Sequence, residues 1–278
     1  MQVLVVAATG RELRAALSLV GFGGEIPEQG RALELKLSGT SAILLVTGVG
    51  LVNAALALGR ALARNAPDLV LNLGVCGSFD LSRAPLGSRV LVRREIWPEY
   101  GLLGPGNPVA ADPRGIGLAQ GRMGDAEIWD RVDLAGPEAL VRAGLGVPRD
   151  LIQGASLSVA GVTGTCERAE ALLRAYGAPA ENPAGVPAEN PAGVPAENPV
   201  GMLAENPAGV LAENPASVLA ENMEGFSLAY GCAQQNVPLV ELRTVSNQVG
   251  ERGKHSWDMK GALMALGRMA AEIFIPAK

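Results

Sequence analysis

Apolar residues along the chain fall into short continuous runs that alternate with stretches of helical periodicity. The runs predict strands at Val3–Ala8, Leu33–Leu37, Ala42–Thr47, Leu69–Leu73, Arg89–Val92, Leu157–Val159 and Pro238–Val245. The spacing of apolar residues between several of these runs predicts helices at Arg11–Leu19, Val52–Arg64, Cys166–Tyr176, Met223–Gln235 and Trp257–Phe274. Strands that are apolar throughout are buried on both faces. The pattern therefore predicts an α/β domain with helices on both faces of a sheet.

One stretch in the middle of the chain lacks either periodicity. From Pro98 to Gly124 the sequence is rich in glycine and proline. These residues favour turns and interrupt regular elements. A long loop is predicted here.

A second irregular stretch is a repeat. The triplet Ala-Glu-Asn occurs six times between Ala180 and Asn222 with a period of eight residues, and only the last copy continues into Met223-Glu224-Gly225. The other copies are followed by proline, which blocks helix interiors and central strands. A tract of small residues and proline buries too little surface to offset its ordering entropy. We expect residues 178–221 to be an exposed, flexible tandem duplication inserted in a single domain spanning 1–278, with a partner-binding arm as the alternative.

The last copy of the repeat differs from the earlier ones. It is "SVLAEN", with Val218 and Leu219, and it is more strand-like than the "GVPAEN" copies. We expect this copy to connect the helix at Cys166–Tyr176 to Met223. Deletion of Glu181–Ala220, five whole periods, is then expected to leave activity intact.

Composition narrows the class of protein. The chain has 278 residues and a net charge of −5, without a basic block, so no nucleic-acid partner is expected. No apolar run reaches the roughly 18 residues of a membrane helix, and the start "MQVLVVAATG" predicts a strand rather than a signal peptide. The scattered cysteines Cys76, Cys166 and Cys232 favour a reduced, cytoplasmic setting. With His255 as the one histidine, neither a metal site nor another cofactor is expected.

Two glycine-rich stretches follow predicted strands. "VTGVGLVNAA" and "LNLGVCGS" allow backbone N–H groups to approach a ligand closely. The first departs from the dinucleotide pattern GxGxxG at Asn53, so it favours some other small molecule. In the second, Gly77 is a candidate substrate-binding residue, and Cys76 is either a packing residue or a nucleophile.

Five stretches in this order carry a resemblance: "VAATGRELR", "TGVGLVNAA", "NLGVCGS", "ENMEG" and "VELRTVSNQVGERGKHSWD". Together they resemble the nucleoside phosphorylase and nucleosidase superfamily, in particular its hydrolytic branch. The resemblance implies a three-layer α/β/α fold with a central mixed sheet flanked by helices, a small-molecule nucleoside substrate and a homo-oligomer. The closing "SNQVGERGKHSWD" looks most like the futalosine hydrolases of that branch, which release hypoxanthine from futalosine in menaquinone biosynthesis.

The resemblance also implies roles for residues that match the family's motifs. Glu12 would activate water, Met223 would lie against the sugar, and Glu224 would accept from the ribose hydroxyls. From the residues alone, Glu12 could instead favour the positive end of a helix dipole, Met223 could pack in the core and Glu224 could cap the next helix. These alternatives stay open at this point.

The base and the lid have their own candidates. Arg243 and Ser246 match an Arg-x-x-Ser that precedes the base-binding residue, here Asn247, and Trp257 matches an aromatic residue that covers the ligand. Trp257 could equally begin the apolar face of the last helix. No role is expected for His255.

Asn247 departs from the adenine-cleaving nucleosidases, which have aspartate at this position. An amide can donate to O6 of a 6-oxopurine and accept from protonated N7. A buried polar mismatch of this kind can discriminate by about 10⁴–10⁵-fold. The amide therefore favours hypoxanthine as the leaving group.

Other functions remain open. An adenine-releasing methylthioadenosine/S-adenosylhomocysteine nucleosidase is one alternative, and a phosphorylase that uses Arg11 and Arg14 for phosphate is another. A nucleoside-binding protein inactivated by the repeat is a third. If the substrate is futalosine, Arg252 and Lys254 are candidates to meet its distal carboxylate.

Overall fold

The structure is a computed structural model that describes residues 1–104, 107–177, 210–211, 217–253 and 256–275. Its strands are β1 Gln2–Ala7, β2 Ala32–Leu37, β3 Thr40–Val46, β4 Leu69–Ser78, β5 Arg89–Ile96, β6 Leu102–Gly104, β7 Asn107–Asp112, β8 Gly121–Met123, β9 Ala126–Ile128, β10 Arg131–Asp133, β11 Leu151–Ser158, β12 Val210–Leu211, β13 Val218–Asn222 and β14 Leu239–Gln248. Its helices are α1 Gly10–Leu17, α2 Leu51–Leu62, α3 Pro137–Arg142, α4 Cys166–Tyr176, α5 Gly225–Gln234 and α6 Met259–Phe274. Most of the octad tract, together with Lys254 and His255, lies outside the described residues.

The central sheet is mixed and partly closed on itself. Its strand order is β10-β5-β11-β13-β4-β1-β3-β2, and β14 bonds to both β4 and β5. Because of these two pairings, β4, β14, β5, β11 and β13 form a ring from which β1, β3 and β2 extend. β1 is parallel to β3 and β4, and β14 is parallel to β4.

Helices cover both faces of this sheet. One apolar cluster joins α1, α3 and α6 to the buried residues of β1, β4 and β14. A second joins α2 and α5 to the opposite face. A third packs Leu172 of α4 against β11 and β13. The predicted three-layer α/β/α fold with a mixed sheet is confirmed.

Several predicted boundaries were wrong. The loop predicted over Pro98–Gly124 contains the strands β6, β7 and β8. β6 pairs with β7 and β8 pairs with β9, in two small antiparallel sheets. The strand predicted at Leu157–Val159 is β11, which begins at Leu151. Its first part was missed because Gln153, Ser156 and Ser158 interrupt the apolar pattern. The short helix α3 was not predicted. The helices α5 and α6 each begin two residues later than predicted, at Gly225 and Met259.

The last copy of the repeat forms β13. This strand pairs in parallel with β11 and in antiparallel orientation with β4. Val218 and Leu219 are 2% and 1% exposed, so both belong to the core. The expected strand is therefore present. The preceding copy carries the same Val-Leu pair, at Val210 and Leu211, which form β12 beside β11.

No helix in the described part of the chain is both long and apolar enough to cross a membrane.

Candidate active site

A cavity of about 340 Å³ opens where β1, β3, β4 and β14 end at their carboxyl ends. Ligands of α/β sheets commonly bind at this edge. Its walls are formed by Ala8, Thr9, Arg11, Glu12, Val49, Val75, Cys76, Gly77, Val162, Glu221, Asn222, Met223, Glu224, Ser246, Asn247, Trp257, Met259 and Leu263. Of the sequence-derived candidates, this wall includes Glu12, Gly77, Met223, Glu224, Ser246, Asn247 and Trp257, whereas Arg14, Arg243 and Arg252 are not part of it.

Glu12 is held at the cavity wall by three donors. Its Oε2 accepts from the backbone N–H of Thr9 at 3.0 Å and from the Thr9 hydroxyl at 2.7 Å, which forms a capping box at the start of α1. Its Oε1 accepts from the backbone N–H of Val75 at 3.0 Å. A carboxylate offers about four acceptor positions, so Glu12 keeps capacity for one more donor. Glu12 is therefore both a helix-capping residue and a cavity residue.

Glu224 faces the same cavity from the beginning of α5. Its Oε1 accepts from the backbone N–H of Gly50 at 2.9 Å, and its Oε2 lies 3.8 Å from Nη1 of Arg243. Burial raises the pKa of Glu224, while Arg243 and the Gly50 N–H oppose that shift. The carboxylate of Glu12 adds to the increase in the pKa of Glu224.

The alternative in which Glu224 caps α5 is wrong. Glu224 occupies the N-cap position, but its side chain makes no capping bond. The backbone N–H groups of Glu224 and Gly225 instead donate to Oδ1 of Asn222, at 2.9 and 2.7 Å. The Glu224 carboxylate is therefore left to face the cavity.

Arg243 lies behind the cavity wall rather than on it. It is 1% exposed, and its Nε donates to Glu241 Oε1 at 2.8 Å while Nη1 donates to the carbonyl of Val75 at 3.2 Å. Burial would lower the pKa of Arg243, but the surrounding carboxylates raise it, with Glu241 and Glu224 first among them. A side chain at Gly74 would collide with Arg243, since its Cβ would lie 2.8 Å from Nη1. Arg243 therefore supplies a fixed positive charge behind Glu224.

Asn247 has a defined amide orientation. Its Nδ2 donates to the carbonyl of Gln248 at 3.1 Å, so Oδ1 faces the hydroxyl of Ser246 at 2.9 Å. Nδ2 keeps one further proton to donate, and Oδ1 keeps one further acceptor position. A Cβ on Gly77 would lie 2.8 Å from Cγ2 of Val249 and 3.1 Å from Nδ2 of Asn247, so a side chain at this position would displace its neighbours. Asn247 is therefore held in one orientation on the cavity wall.

Trp257 and Met223 are apolar residues on the wall of the cavity. Trp257 precedes α6 rather than beginning it, and its Nε1 donates to the carbonyl of Glu251 at 2.9 Å. Trp257 also forms an isolated β-bridge with Asn247. Arg252 lies over the Trp257 ring at 5.8 Å and is not on the cavity wall.

Cys76 lines the cavity in surroundings that favour the neutral thiol. It is 3% exposed, and burial raises the pKa of its thiol to about 12. Nucleophilic cysteines need the thiolate form. The interpretation of Cys76 as a packing residue is therefore supported.

Four polar residues were missed by sequence reasoning. Glu221 and Asn222 belong to the final Ala-Glu-Asn triplet, and Glu95 and Glu241 are fully buried on β5 and β14. Asn222 Nδ2 donates to Glu95 Oε1 at 2.7 Å. The one available signal was that polar residues interrupt strands that are otherwise apolar.

The chain belongs to the Phosphorylase superfamily, whose family model matches residues 2–274. Within it, the chain is similar to futalosine hydrolases. It is 29% identical to that of Thermus thermophilus, over 84% of this chain and 80% of the relative. It is 30% identical to that of Streptomyces coelicolor, over 96% of this chain and 92% of the relative. The resemblance inferred from the sequence motifs is confirmed.

Solved structures share the fold. The 5'-methylthioadenosine/S-adenosylhomocysteine nucleosidase of Neisseria meningitidis, in complex with methylthio-immucillin-A, has a TM-score of 0.65 at 21% identity, with 98% of this chain and 97% of that chain covered. The futalosine hydrolase of Helicobacter pylori has a TM-score of 0.64 at 16% identity, with 97% and 95% covered.

Proposed function

We propose that the protein is an N-glycosyl hydrolase that releases hypoxanthine from futalosine, a step of menaquinone biosynthesis. The observation that carries the proposal is the placement of two carboxylates, Glu12 and Glu224, and one amide, Asn247, on the wall of one cavity. The similarity to futalosine hydrolases over most of the chain supports the same substrate.

Glu12 is the proposed base. Hydrolysis of an N-glycosidic bond requires a water molecule on the sugar face opposite the departing base, and a carboxylate can orient and deprotonate it. Glu12 is held rigidly by Thr9 and Val75 and has one acceptor position left. That position is proposed to bind the attacking water.

Glu224 is the proposed ribose ligand. Its carboxylate would accept from the 2'- and 3'-hydroxyls and favour the positive charge that develops on the ring. Arg243, at 3.8 Å, supports the ionised form of Glu224. Met223 would pack against the sugar, and Trp257 would cover the ligand from the segment that precedes α6.

Asn247 is the proposed leaving-group ligand. Its free Nδ2 proton would donate to O6, and its Oδ1 would accept from protonated N7. The hydroxyl of Ser246 holds the orientation that this requires. An adenine base would place its 6-amino group against the Nδ2 donor, which favours hypoxanthine.

Phosphorolysis is the second candidate function, because Arg11, a candidate phosphate ligand, lies on the cavity wall. Arg14 is exposed and is not on that wall. For the distal carboxylate of futalosine, Arg252 remains a candidate, and Lys254 lies outside the described residues.

The test measures purine release from futalosine, inosine and methylthioadenosine, each with and without phosphate. Release of hypoxanthine from futalosine without phosphate is the expected result. A strict phosphate requirement would move the protein to the phosphorylases. Release of adenine from methylthioadenosine in preference to the other two would contradict the role of Asn247.

We also propose a cytoplasmic homo-oligomer. Cys76, Cys166 and Cys232 are all unpaired, which suits a reducing compartment. Val52 and Leu56 on α2 are 81% and 61% exposed, and an apolar surface of this kind is a candidate subunit interface.

A further inference from the structure

Glu241 holds the buried arginine of the site from behind. It lies two residues before Arg243 on β14, so both side chains project from the same face of the strand. Oε1 of Glu241 accepts from Nε of Arg243 at 2.8 Å, and the two side chains are 0% and 2% exposed. Glu241 itself is not part of the cavity wall. It can therefore act on a bound molecule only through other residues.

The contact with Glu241 sets the direction of the guanidinium group of Arg243. This group is planar and carries its donors in a fixed fork, so a bond at Nε also determines where Nη1 points. Nη1 lies 3.8 Å from Oε2 of Glu224. A Cβ at Gly74 would lie 2.8 Å from Nη1 and 3.0 Å from Oε1 of Glu12. The guanidinium group therefore lies next to both carboxylates of the cavity wall.

A second buried carboxyl group, that of Glu95, supports Glu241. Both residues are 0% exposed, and Gly225 at the start of α5 passes so close that a Cβ there would collide with Oε1 of each. Burial raises the pKa of Glu95 well above its ordinary value, and Glu241 adds to the shift by its charge and by accepting a hydrogen bond from the protonated form. Glu95 also accepts from Ser158 and Asn222, at 2.6 and 2.7 Å. Glu241 is therefore fixed by contacts on two sides.

We infer that Glu241 is a positioning residue: by holding Nε of Arg243 it keeps Nη1 beside Glu224, and so orients the carboxylate that is proposed to bind the ribose. This inference rests on the proposed function and adds a residue that does not touch the substrate. The alternative role of Glu241 is only to balance the buried charge of Arg243. The two roles have different requirements, because positioning needs an acceptor at the right distance, whereas charge balance needs a negative charge.

The test separates length from charge with Glu241→Asp and Glu241→Gln, and kcat on futalosine is measured for both. Aspartate keeps the charge but is one methylene shorter, whereas glutamine keeps the length and an acceptor oxygen without the charge. We expect Glu241→Asp to lower kcat by about 10-fold to 100-fold, the scale of a small displacement in an active site. Glu241→Gln should stay within about tenfold of the wild type, because a neutral acceptor still orients the donor. Glu170→Asp on the exposed α4 is the matched control and should retain wild-type kcat.

The opposite order, with Glu241→Gln less active than Glu241→Asp, would overturn the inference, and so would wild-type kcat in Glu241→Asp. If Glu241→Asp does not fold, Glu241→Gln decides alone, and a loss of about 10²-fold or more, or failure to fold, would overturn the inference. Absence of hypoxanthine release by the wild type is a failure of the proposed function alone. The affinity for inosine, measured by calorimetry, then replaces kcat and should follow the same order of variants.

Discussion

At the scale of single residues, Glu12 both caps a helix and lines the cavity. It closes the first turn of α1 through Thr9, and it lines the cavity beside Val75. Replacement by glutamine keeps the size of the side chain and removes the base. We expect Glu12→Gln to lower kcat on futalosine by about 10²–10⁴-fold with little change in KM. Turnover is measured beside Glu170→Gln, and a Glu12→Gln variant that retains full kcat would contradict the role of Glu12 as base.

The raised pKa of Glu224 predicts the acid limb of the pH profile of kcat/KM. Burial raises the pKa of this carboxyl above its ordinary value of 4.5, and the ionised form is needed to accept from the ribose hydroxyls. We expect kcat/KM to fall as the pH decreases through this raised pKa, because kcat/KM reports the free enzyme. The limb should therefore lie above pH 4.5. A profile that stays flat down to that pH would contradict the prediction.

The same shift has a consequence for stability. A carboxyl whose pKa is raised by folding binds its proton more tightly in the folded state. Its stabilising contribution is present below pH 4.5 and is lost as the pH rises through the folded-state pKa. The free energy of unfolding of wild type relative to Glu224→Gln should therefore decrease over that window. An increase over the window would show that the shift has the opposite sign.

Residues of the site differ in how far the sequence could predict them. Glu12, Glu224 and Asn247 were predicted from motifs, and all three lie on one cavity. Glu221, another residue of the cavity wall, was not predicted, because its place there depends on the register of β13 beside β4, which a single sequence does not contain.

At the scale of elements, β13 and α5 are joined by Asn222. Its Oδ1 accepts from the backbone N–H groups of the N-cap residue Glu224 and of Gly225, the first residue of α5. Its Nδ2 donates to Glu95 and Ser156 at 2.7 Å each. Asn222→Ala removes these bonds within the core. We expect the free energy of unfolding to fall by about 1–3 kcal/mol, the cost of unsatisfied buried groups.

Chemical denaturation measures this change. The control is Asn53→Ala on the exposed face of α2, which should change stability by no more than about 0.5 kcal/mol. Equal effects of the two substitutions would contradict the account of the helix start.

The elements that the sequence predicted well are those with a clear period. The bounds of α4 agree with the prediction at both ends. The bounds of β11 do not, because Ser156 and Ser158 are polar residues buried for hydrogen bonding to Asn222. A search for continuous apolar runs does not detect strands whose buried residues include polar side chains of a hydrogen-bond network.

At the scale of the whole molecule, the last copy of the repeat forms β13, and Val210 and Leu211 of the copy before it form β12. Val218 and Leu219 of the last copy are in the core, whereas deletion of Glu181–Ala220 would place Ala178 and Pro179 at their positions. The expectation that this deletion is harmless therefore changes. It should cost about 2–5 kcal/mol, as for large-to-small substitutions in a core.

A deletion of three periods, Glu181–Ala204, keeps both Val210–Leu211 and Ser217–Asn222 intact. We expect this variant to retain the stability and activity of the full chain. Thermal unfolding and futalosine turnover of the two deletions are compared directly. Loss of activity in the shorter deletion would show that the earlier copies are needed.

The proposed assembly also belongs to this scale. Val52→Glu places a charge on the most exposed large apolar side chain of α2. We expect it to shift the mass in analytical ultracentrifugation toward the monomer, whereas Leu19→Glu, on the opposite layer at 54% exposure, should not. A monomeric wild type would contradict the proposed oligomer.

The measurement that tests the central claim most directly is hypoxanthine release from futalosine in phosphate-free buffer, by the wild type beside Glu224→Gln. We predict release by the wild type and a loss of about 10²-fold or more in kcat/KM for the variant, the scale of one preorganised charged contact in the transition state. Wild-type release that requires phosphate, or a variant as active as the wild type, would contradict hydrolysis at this cavity.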